Sequence, residues 1–288
     1  MQINKALPQK RLAQALKRAN SPEWKQLYQQ SIERLKRWWN TPGVNKDIVP
    51  ALHFGYGKDA MATAIVMKDA GVPFTALVID CFSDLPGHEL VVPEFRNWFG
   101  EYDEIIYETE KGLLDYMLQW LGWARDNGAD VDYFNWGPVE SQIAWEIGGQ
   151  FDMHYDEGTP GVMHVWGNRT AEAMERFYEA QKHGIFYLDG EEDKTGSYWR
   201  ALPIADWKDM DVWALLVSRQ CPISNVYSKH ALPMGGGRKA FPRTVWWCSP
   251  EIMNPKYYKW LAYYYPALLA RLNQYFPEVK AKFQSVKA

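Results

Sequence analysis

The stretch Ile48-Val-Pro-Ala-Leu-His-Phe-Gly-Tyr-Gly-Lys-Asp-Ala-Met-Ala-Thr-Ala-Ile-Val-Met-Lys68 decides how the rest of this 288-residue chain is read. Ala51 to Phe54 is a short apolar run, the pattern of a buried strand, and Ala60 to Lys68 carries the apolar spacing of a helix. Gly55-Tyr-Gly-Lys-Asp59 therefore falls at the turn between them. In an α/β sheet that turn is a place for phosphate. Gly55 and Gly57 let the backbone bend and approach an anion, the helix start offers unpaired N–H groups, and Lys58 adds a full positive charge.

The loop fits more than one motif. It is not a Walker A P-loop, which needs Ser or Thr after its Lys to hold magnesium, because Asp59 follows Lys58. It does match the dinucleotide fingerprint G-x-G-x-x-G/A through Gly55, Gly57 and Ala60. Asp80 ends the next strand about 20 residues on, where that fingerprint places its ribose-binding acid. A strand-turn-helix without a ligand uses the same glycines, since they also make tight βα turns.

Alternating strands and helices run outward from this point, the signature of a sheet with parallel strands. The pattern predicts strand 51–54, helix 58–70, strand 75–80, a turn at Pro86-Gly87, helix 89–99, strand 104–107 and helix 112–125. A helix around 138–148, strand 162–166 and helix 170–181 follow. Gly167-Asn-Arg169 is a second strand-to-helix turn, with Arg169 expected at the helix N-terminus beside Thr170, Glu172 placed to orient it and Arg176 two turns on. Residues 190–193 read as a solvated acidic hairpin, and 198–213 as a strand, a Pro break and a helix capped by Asp206. Pro233 to Cys248 reads as a flexible basic loop in which Arg238, Lys239 and Arg243 beside Gly235 to Gly237 close over a phosphate or simply make an exposed turn.

Before the first strand, residues 1–45 predict two helices, one over 9–19 and one starting after Ser21-Pro22. Their basic residues, among them Arg11, Arg18 and Arg34, read as a solvated face or as a contact for a nucleic acid or partner. The tail from Pro255 is helical, aromatic-rich and broken at Pro266 and Pro277. We expect three regions: a helical extension (1–45), a nucleotide-binding α/β domain (46–205) and a helical C-terminal region packed on it (206–288). The expected fold is a mostly parallel, doubly wound α/β sheet.

Composition narrows the function. A net charge of −3 argues against general duplex nucleic-acid binding, which draws on summed positive charge. The 15 Trp and 17 Tyr supply bulky packing or a protein-partner surface on the aromatic helices. Neither a signal-peptide core nor a run of about 18 apolar residues is present, which places the expected protein in the cytoplasm and off the membrane. Cys81, Cys221 and Cys248 are far apart with no C-x-x-C, so neither a disulfide framework nor a sequence-local zinc or iron–sulfur site is indicated.

Taken in order, these pieces resemble the phosphoadenosine-phosphosulfate (PAPS) reductase family of adenine nucleotide α-hydrolase-like proteins, relatives of the N-type ATP pyrophosphatases. The family's Ser-Gly-Gly-Lys-Asp-Ser loop is matched by Gly55-Tyr-Gly-Lys-Asp-Ala60, and its Gly-Ile-Arg-x-x-Glu-Ser element by Gly167-Asn-Arg-Thr-Ala-Glu-Ala173. Its Arg-x-x-Pro-x-x-Asp-Trp-x-x-x-Asp-Val-Trp stretch is similar to Arg200-Ala-Leu-Pro-Ile-Ala-Asp-Trp-Lys-Asp-Met-Asp-Val-Trp213, the most specific of the matches. Cys221-Pro-Ile-Ser-Asn-Val-Tyr227 resembles the segment that follows.

The resemblance implies an adenine nucleotide, either ATP or adenylyl sulfate or phosphoadenylyl sulfate, with its anionic end on the first loop. Gly55, Tyr56, Gly57 and Ala60 would line it, Lys58 would compensate charge, Asp59 would orient the loop or a magnesium ion, and Arg169 would bind the far phosphate or sulfate. Asp80 would lie near the ribose. The departures imply as much. Gly55 and Ala60 replace both loop hydroxyls, and the catalytic Glu-Cys-Gly-x-His and the paired cysteines of the iron–sulfur branch are missing, so no cluster and no cysteine nucleophile are expected. Cys248 reads as a buried structural residue. Three readings follow: a cleavage or transfer enzyme acting at the α-phosphate or sulfuryl end; a nucleotide-binding module with weakened catalysis, serving in a protein complex; and a nicotinamide-dependent oxidoreductase.

Overall fold

Strand and helix alternate from residue 48 onward in the computed structural model, which describes residues 7–41, 48–80, 85–126, 162–189, 198–229, 232–233, 239–240, 255–277 and 280–281. The helix expected around 138–148, the turn 190–193, Gly235 to Arg238, Arg243, Cys81 and Cys248 lie outside the described residues.

Two helices come first, α1 (Gln9–Ala19) and α2 (Pro22–Trp39). The second starts where Ser21-Pro22 predicts. Ser21 Oγ accepts the Trp24 N–H at 3.3 Å, and Pro22 takes the first helical position, where no N–H is needed. Then come β1 (Val49–His53), α3 (Lys58–Ala70) and β2 (Thr75–Asp80). Gly71, at a φ of +69°, closes α3 in the left-handed conformation that side chains resist. The series continues with α4 (Val91–Phe99), β3 (Asp103–Glu108), α5 (Leu113–Asp126), β4 (Val162–Val165), α6 (Met174–His183), β5 (Phe186–Asp189), β6 (Tyr198–Ala201) and α7 (Asp209–Ser218). A 3₁₀ turn at Asn225–Ser228, the short pair β7 (Leu232–Pro233) and β8 (Lys239–Ala240), α8 (Pro255–Tyr264) and α9 (Pro266–Tyr275) complete it.

The strands form a six-stranded sheet in the order β3-β2-β1-β4-β6-β5. β1 runs parallel to β2 and β4, β4 runs parallel to β6, and β5 returns antiparallel along β6 at the edge. The fold is α/β with a mostly parallel sheet, as expected. The edge strand β5 was not expected; α6 ends at Gly184, at a φ of +85°, and the chain turns straight back to pair with β6.

Strand order reverses at β1, since β2 and β3 lie to one side of it and β4 to the other. In open α/β sheets such a reversal leaves a crevice at the carboxyl ends of the two diverging strands. The loops after β1 and after β4 are the two that the sequence singles out.

By contacts the chain divides into two compact units. The first takes in 1–78, 90–106 and 154–224, and so holds α1 to α4, α6, α7 and most of the sheet. Here α3 is buried almost all round, from Met61 to Met67, as a core helix must be. It packs between α2 and α7, and α1 lies on α7. The second unit takes in 79–89, 107–153 and 225–288. There α8 packs on α9 with Tyr257 stacked on Trp260 at 6.1 Å, and α9 also touches α5. No helix among the described residues is long and apolar enough to cross a membrane.

The start of α7 differs from expectation. Asp206 does not cap it, because its carboxylate is held at two points by Arg34, Nη2 to Oδ1 at 2.9 Å and Nη1 to Oδ2 at 3.1 Å. The helix starts three residues later, where Asp211 Oδ2 accepts the Lys208 N–H at 2.8 Å. This stretch is what the N-terminal helices dock on. Trp207 Nε1 donates to Ser31 Oγ at 2.9 Å, Trp24 Nε1 donates to the Asp211 carbonyl at 3.1 Å, and Arg18 Nε donates to Asp211 Oδ1 at 2.6 Å. Ser31 and Trp207 are fully buried. Ser31→Ala leaves a buried indole N–H without an acceptor, so urea unfolding is expected to show a loss of about 1–3 kcal/mol.

Candidate functional site

The loop after β1 bends at an unexpected residue. Gly57 is the N-cap of α3 with an ordinary extended backbone, and it is Tyr56, at a φ of +50°, that takes the left-handed conformation. A non-glycine residue held there stores on the order of 1–3 kcal/mol. The surroundings hold it. The Tyr56 ring is 3% exposed, meets Phe54 edge-on at 4.6 Å and Phe95 at 6.0 Å, and its hydroxyl bonds to Tyr102 at 2.9 Å and to Glu104. Tyr56 thus anchors the loop through its ring, and its backbone is the part left to line the loop.

Lys58 is the first residue of α3, and its side chain is buried among carboxylates. Its Nζ donates to Asp59 Oδ2 at 2.6 Å and lies 3.2 Å from Asp209 Oδ1. Arg169 reaches the same pair from the turn after β4, with Nε donating to Asp59 Oδ1 at 2.7 Å and Nη2 standing 4.0 Å from Asp209 Oδ1. Arg169 Nη2 also donates to Glu172 Oε1 at 2.6 Å, and the other Glu172 oxygen accepts from Arg176. Arg11 closes the set, its Nη2 3.3 Å from Asp209 Oδ2. Burial alone would lower the Arg169 pKa, but Asp59, Glu172 and Asp209 outweigh it and hold the guanidinium charged. Burial likewise pushes Asp209 up, and Lys58, Arg11 and Arg169 together hold it below the ordinary carboxylate value.

One close approach makes this geometry. A Cβ on Gly167 would lie 2.9 Å from the carbonyl carbon of Asp59 and 3.0 Å from the Ala60 nitrogen, so the turn after β4 presses directly on the first turn of α3. Two bonds to one carbonyl then fix the turn, from the Thr170 N–H at 2.8 Å and the Thr170 hydroxyl at 2.9 Å, both to Ala205 O. Because Thr170 is committed to Ala205, the helix does not start at 170. α6 begins at Met174 with Ala173 as its N-cap, so Arg169 sits in the turn rather than at a helix N-terminus, and Arg176 is in the first turn of α6.

Lys58, Asp59, Arg169 and Glu172 are therefore brought together, with Gly55, Tyr56, Gly57 and Ala60 forming the loop beside them. Asp80 ends β2 in the second unit, where its carbonyl accepts the Thr109 N–H at 3.0 Å. Arg238 and Arg243 lie outside the described residues. Two members were missed, Asp209 and Arg11. Asp209 lies inside the Asp206 to Trp213 stretch, but nothing in its spacing marks it over Asp206 or Asp211 as the carboxylate that meets Lys58.

The donor set suits an anion. Two buried cations flank the start of α3, while both Asp59 oxygens already accept from them, so a magnesium ion at Asp59 would have to displace one. No cluster of three or more His, Cys, Asp or Glu side chains among the described residues is placed to hold a metal. Cys221 is buried, and burial pushes its thiol pKa up, so it stays protonated.

No family model matches the chain, and no curated protein matches it. Among the solved structures similar to it are two enzymes. One is the PAPS reductase of Candida auris, solved as a phosphate complex, at 14% identity over 71% of this chain and 89% of that one, with a TM-score of 0.42. The other is the NMN synthetase of Francisella tularensis, at 14% identity over 90% of this chain and 95% of that one, with a TM-score of 0.47.

Beside the ion-pair cluster, one sheet face carries a histidine pair. His53 Nε2 and His164 Nδ1 share a hydrogen bond at 2.8 Å, and Trp166 stacks on His53 at 3.5 Å. Burial lowers both pKa values, with the Arg200 cation adding to it, and His164 falls from 6.5 to about 4. A histidine whose folded pKa is depressed binds fewer protons folded than unfolded, so stability is lost as pH falls from about 6.5 toward 4. For His164 alone the full shift corresponds to on the order of 3 kcal/mol. Urea midpoints measured from pH 7 to pH 4 are expected to fall across that window, and His164→Gln is expected to flatten the slope.

Proposed function

We propose that the chain binds an adenine nucleotide, with the phosphate or sulfuryl end on the 55–59 loop, and cleaves or transfers at that end without a cysteine nucleophile. One observation carries this reading. Lys58 and Arg169 are fixed by the shared carboxylates Asp59 and Asp209 at the N-terminus of α3, beside the strand where sheet order reverses. Positive groups held in place before reaction stabilise charge that grows on a leaving pyrophosphate or sulfate, and burial makes them stronger than they would be in water. The order of the motif matches along the sequence supports the same assignment.

In this reading Lys58 and Arg169 contact the transferred or departing group, Glu172 orients Arg169, and the loop backbone at Gly55, Tyr56, Gly57 and Ala60 supplies neutral donors. Sequence position alone assigns Asp80 to the ribose and Arg238 and Arg243 to the phosphates. The nucleotide is ATP, adenylyl sulfate or phosphoadenylyl sulfate, and the protein works in the cytoplasm. Magnesium, when it takes part, would supply further positive charge at the phosphates. Asp59 would hold it in exchange for one of its two present cation partners.

A second reading rests on Asp59 itself. With both of its oxygens committed and no hydroxyl at Gly55 or Ala60, the loop holds an anion without an evident proton acceptor. That favours a nucleotide-binding module serving a protein partner through its aromatic helices.

Titration calorimetry with ATP, adenylyl sulfate, phosphoadenylyl sulfate and NAD, each with and without magnesium, tests both. An adenine mononucleotide is expected to bind, and Lys58→Ala to weaken it at least tenfold, the equivalent of about 1.4 kcal/mol. Release of pyrophosphate or sulfate identifies the enzyme, and tight binding without product identifies the module. A preference for NAD, or no binding to any of the four, sinks the reading.

A further inference from the structure

Arg169 has a second side. Next to it, between the ends of β4 and β6 and the start of α6, lies a cavity of about 120 Å³ whose lining includes Trp166, Asn168, Arg169, Arg176, Glu179 and Arg200. Pockets for drug-sized ligands run to ~300–1,000 Å³, so this one takes a small group.

The polar groups around it do not balance. Arg169 spends Nε on Asp59 and Nη2 on Glu172, and its Nη1 has no hydrogen-bond partner among the described residues. Arg176 spends only Nη1, on Glu172. Trp166 Nε1 is buried with no acceptor among the described residues. The acceptors nearby are already used: Glu179 takes Arg200 Nη1 at 2.7 Å and the Tyr187 hydroxyl at 3.0 Å, and Glu172 bridges Arg169 and Arg176. The lining carries three guanidinium groups and one carboxylate, with Glu172 beside it shared by two of the three, and a buried N–H without an acceptor, such as that of Trp166, is uncommon in folded proteins. The sheet behind adds no counter-charge, since His53 and His164 are neutral and Arg200 pairs in register with His164.

We infer that this cavity is a binding site for a small tetrahedral oxyanion, phosphate or sulfate, held by Arg169, Arg176 and the Trp166 indole N–H. A guanidinium presents paired N–H groups that match such oxyanions, and donors arriving from a turn, a helix and a strand end suit a tetrahedral rather than a planar acceptor. Glu172 holds the two arginines side by side where they would otherwise repel. The ion is either free or the terminal group of a nucleotide. The site does not depend on what the 55–59 loop binds.

The test is calorimetric titration of the whole chain with inorganic phosphate at constant ionic strength, with acetate as control, on wild type, Arg176→Gln and Lys58→Ala. The Arg176 side chain is 34% exposed, so its replacement leaves the core intact, and circular dichroism checks both variants. Phosphate is expected to bind wild type, about tenfold more weakly to Arg176→Gln, and still to bind Lys58→Ala. Competition between phosphate and a bound adenine nucleotide then assigns the site to the nucleotide's end, and simultaneous binding assigns it to a free ion; either supports the site. No phosphate binding to wild type, an equal response to acetate, or a loss confined to Lys58→Ala overturns it. A chain that binds no nucleotide yet binds phosphate through Arg176 keeps this site while losing the nucleotide reading.

Discussion

Gly167 against the Asp59–Ala60 peptide is the contact on which the site depends. With the backbones this close, the turn after β4 is set directly on the first turn of α3, and Arg169, two residues on, reaches the Asp59 carboxylate. A side chain at 167 would meet backbone rather than a movable group, so the turn or the helix would have to shift. Both loops that diverge at the strand-order reversal are thereby locked into one arrangement. That is a constraint of topology first, and only then of chemistry.

The charges that fill this junction alternate. Arg11, Asp209, Lys58, Asp59, Arg169, Glu172 and Arg176 run as a chain in which each charge touches one of opposite sign. Burying charges such as Lys58 and Arg169 in ion pairs is a poor way to gain stability, because desolvation cancels much of the attraction and apolar packing would serve as well. A fold that keeps such a chain at the carboxyl ends of its strands is spending stability on fixed charge. The strain stored at Tyr56 belongs to the same account: the aromatic cluster around Phe54, Phe95 and Tyr102 overrides the backbone preference and holds the loop in one conformation.

Much of this was legible in the sequence, and for identifiable reasons. The helix 58–70 and strand 75–80 were read to the residue, because glycines flank the helix and β-rich apolar runs mark the strand. The meeting of Lys58, Asp59, Arg169 and Glu172 was read through motif order. What could not be read was tertiary. The bend was expected from Gly55 and Gly57 but sits on Tyr56, since only packing can hold a tyrosine there. α6 was expected to start at 170 and starts at 174, because Thr170 is tied to Ala205, which is distant in sequence. Asp209 was missed because a stretch that carries three carboxylates at 206, 209 and 211 does not announce which neighbour each will meet.

The basic N-terminal helices turn on the same point. Read alone, Arg11, Arg18 and Arg34 are a stripe that could face solvent or a polyanion. In the fold each is opposed by one of those three carboxylates, Arg34 by Asp206, Arg11 by Asp209 and Arg18 by Asp211. The match runs along the whole stretch from Asp206 to Trp213, where the Trp207 indole is held by Ser31, the Asp211 carbonyl by the Trp24 indole, and the Trp213 ring lies under Arg11 at 5.5 Å. The motif with the strongest resemblance to a nucleotide-binding family therefore works here as the seat for α1 and α2. Asp209 faces both ways, toward Arg11 on one oxygen and toward Lys58 on the other, so α1 is tied through that carboxylate to the Lys58–Arg169 cluster it at first seems to lie outside.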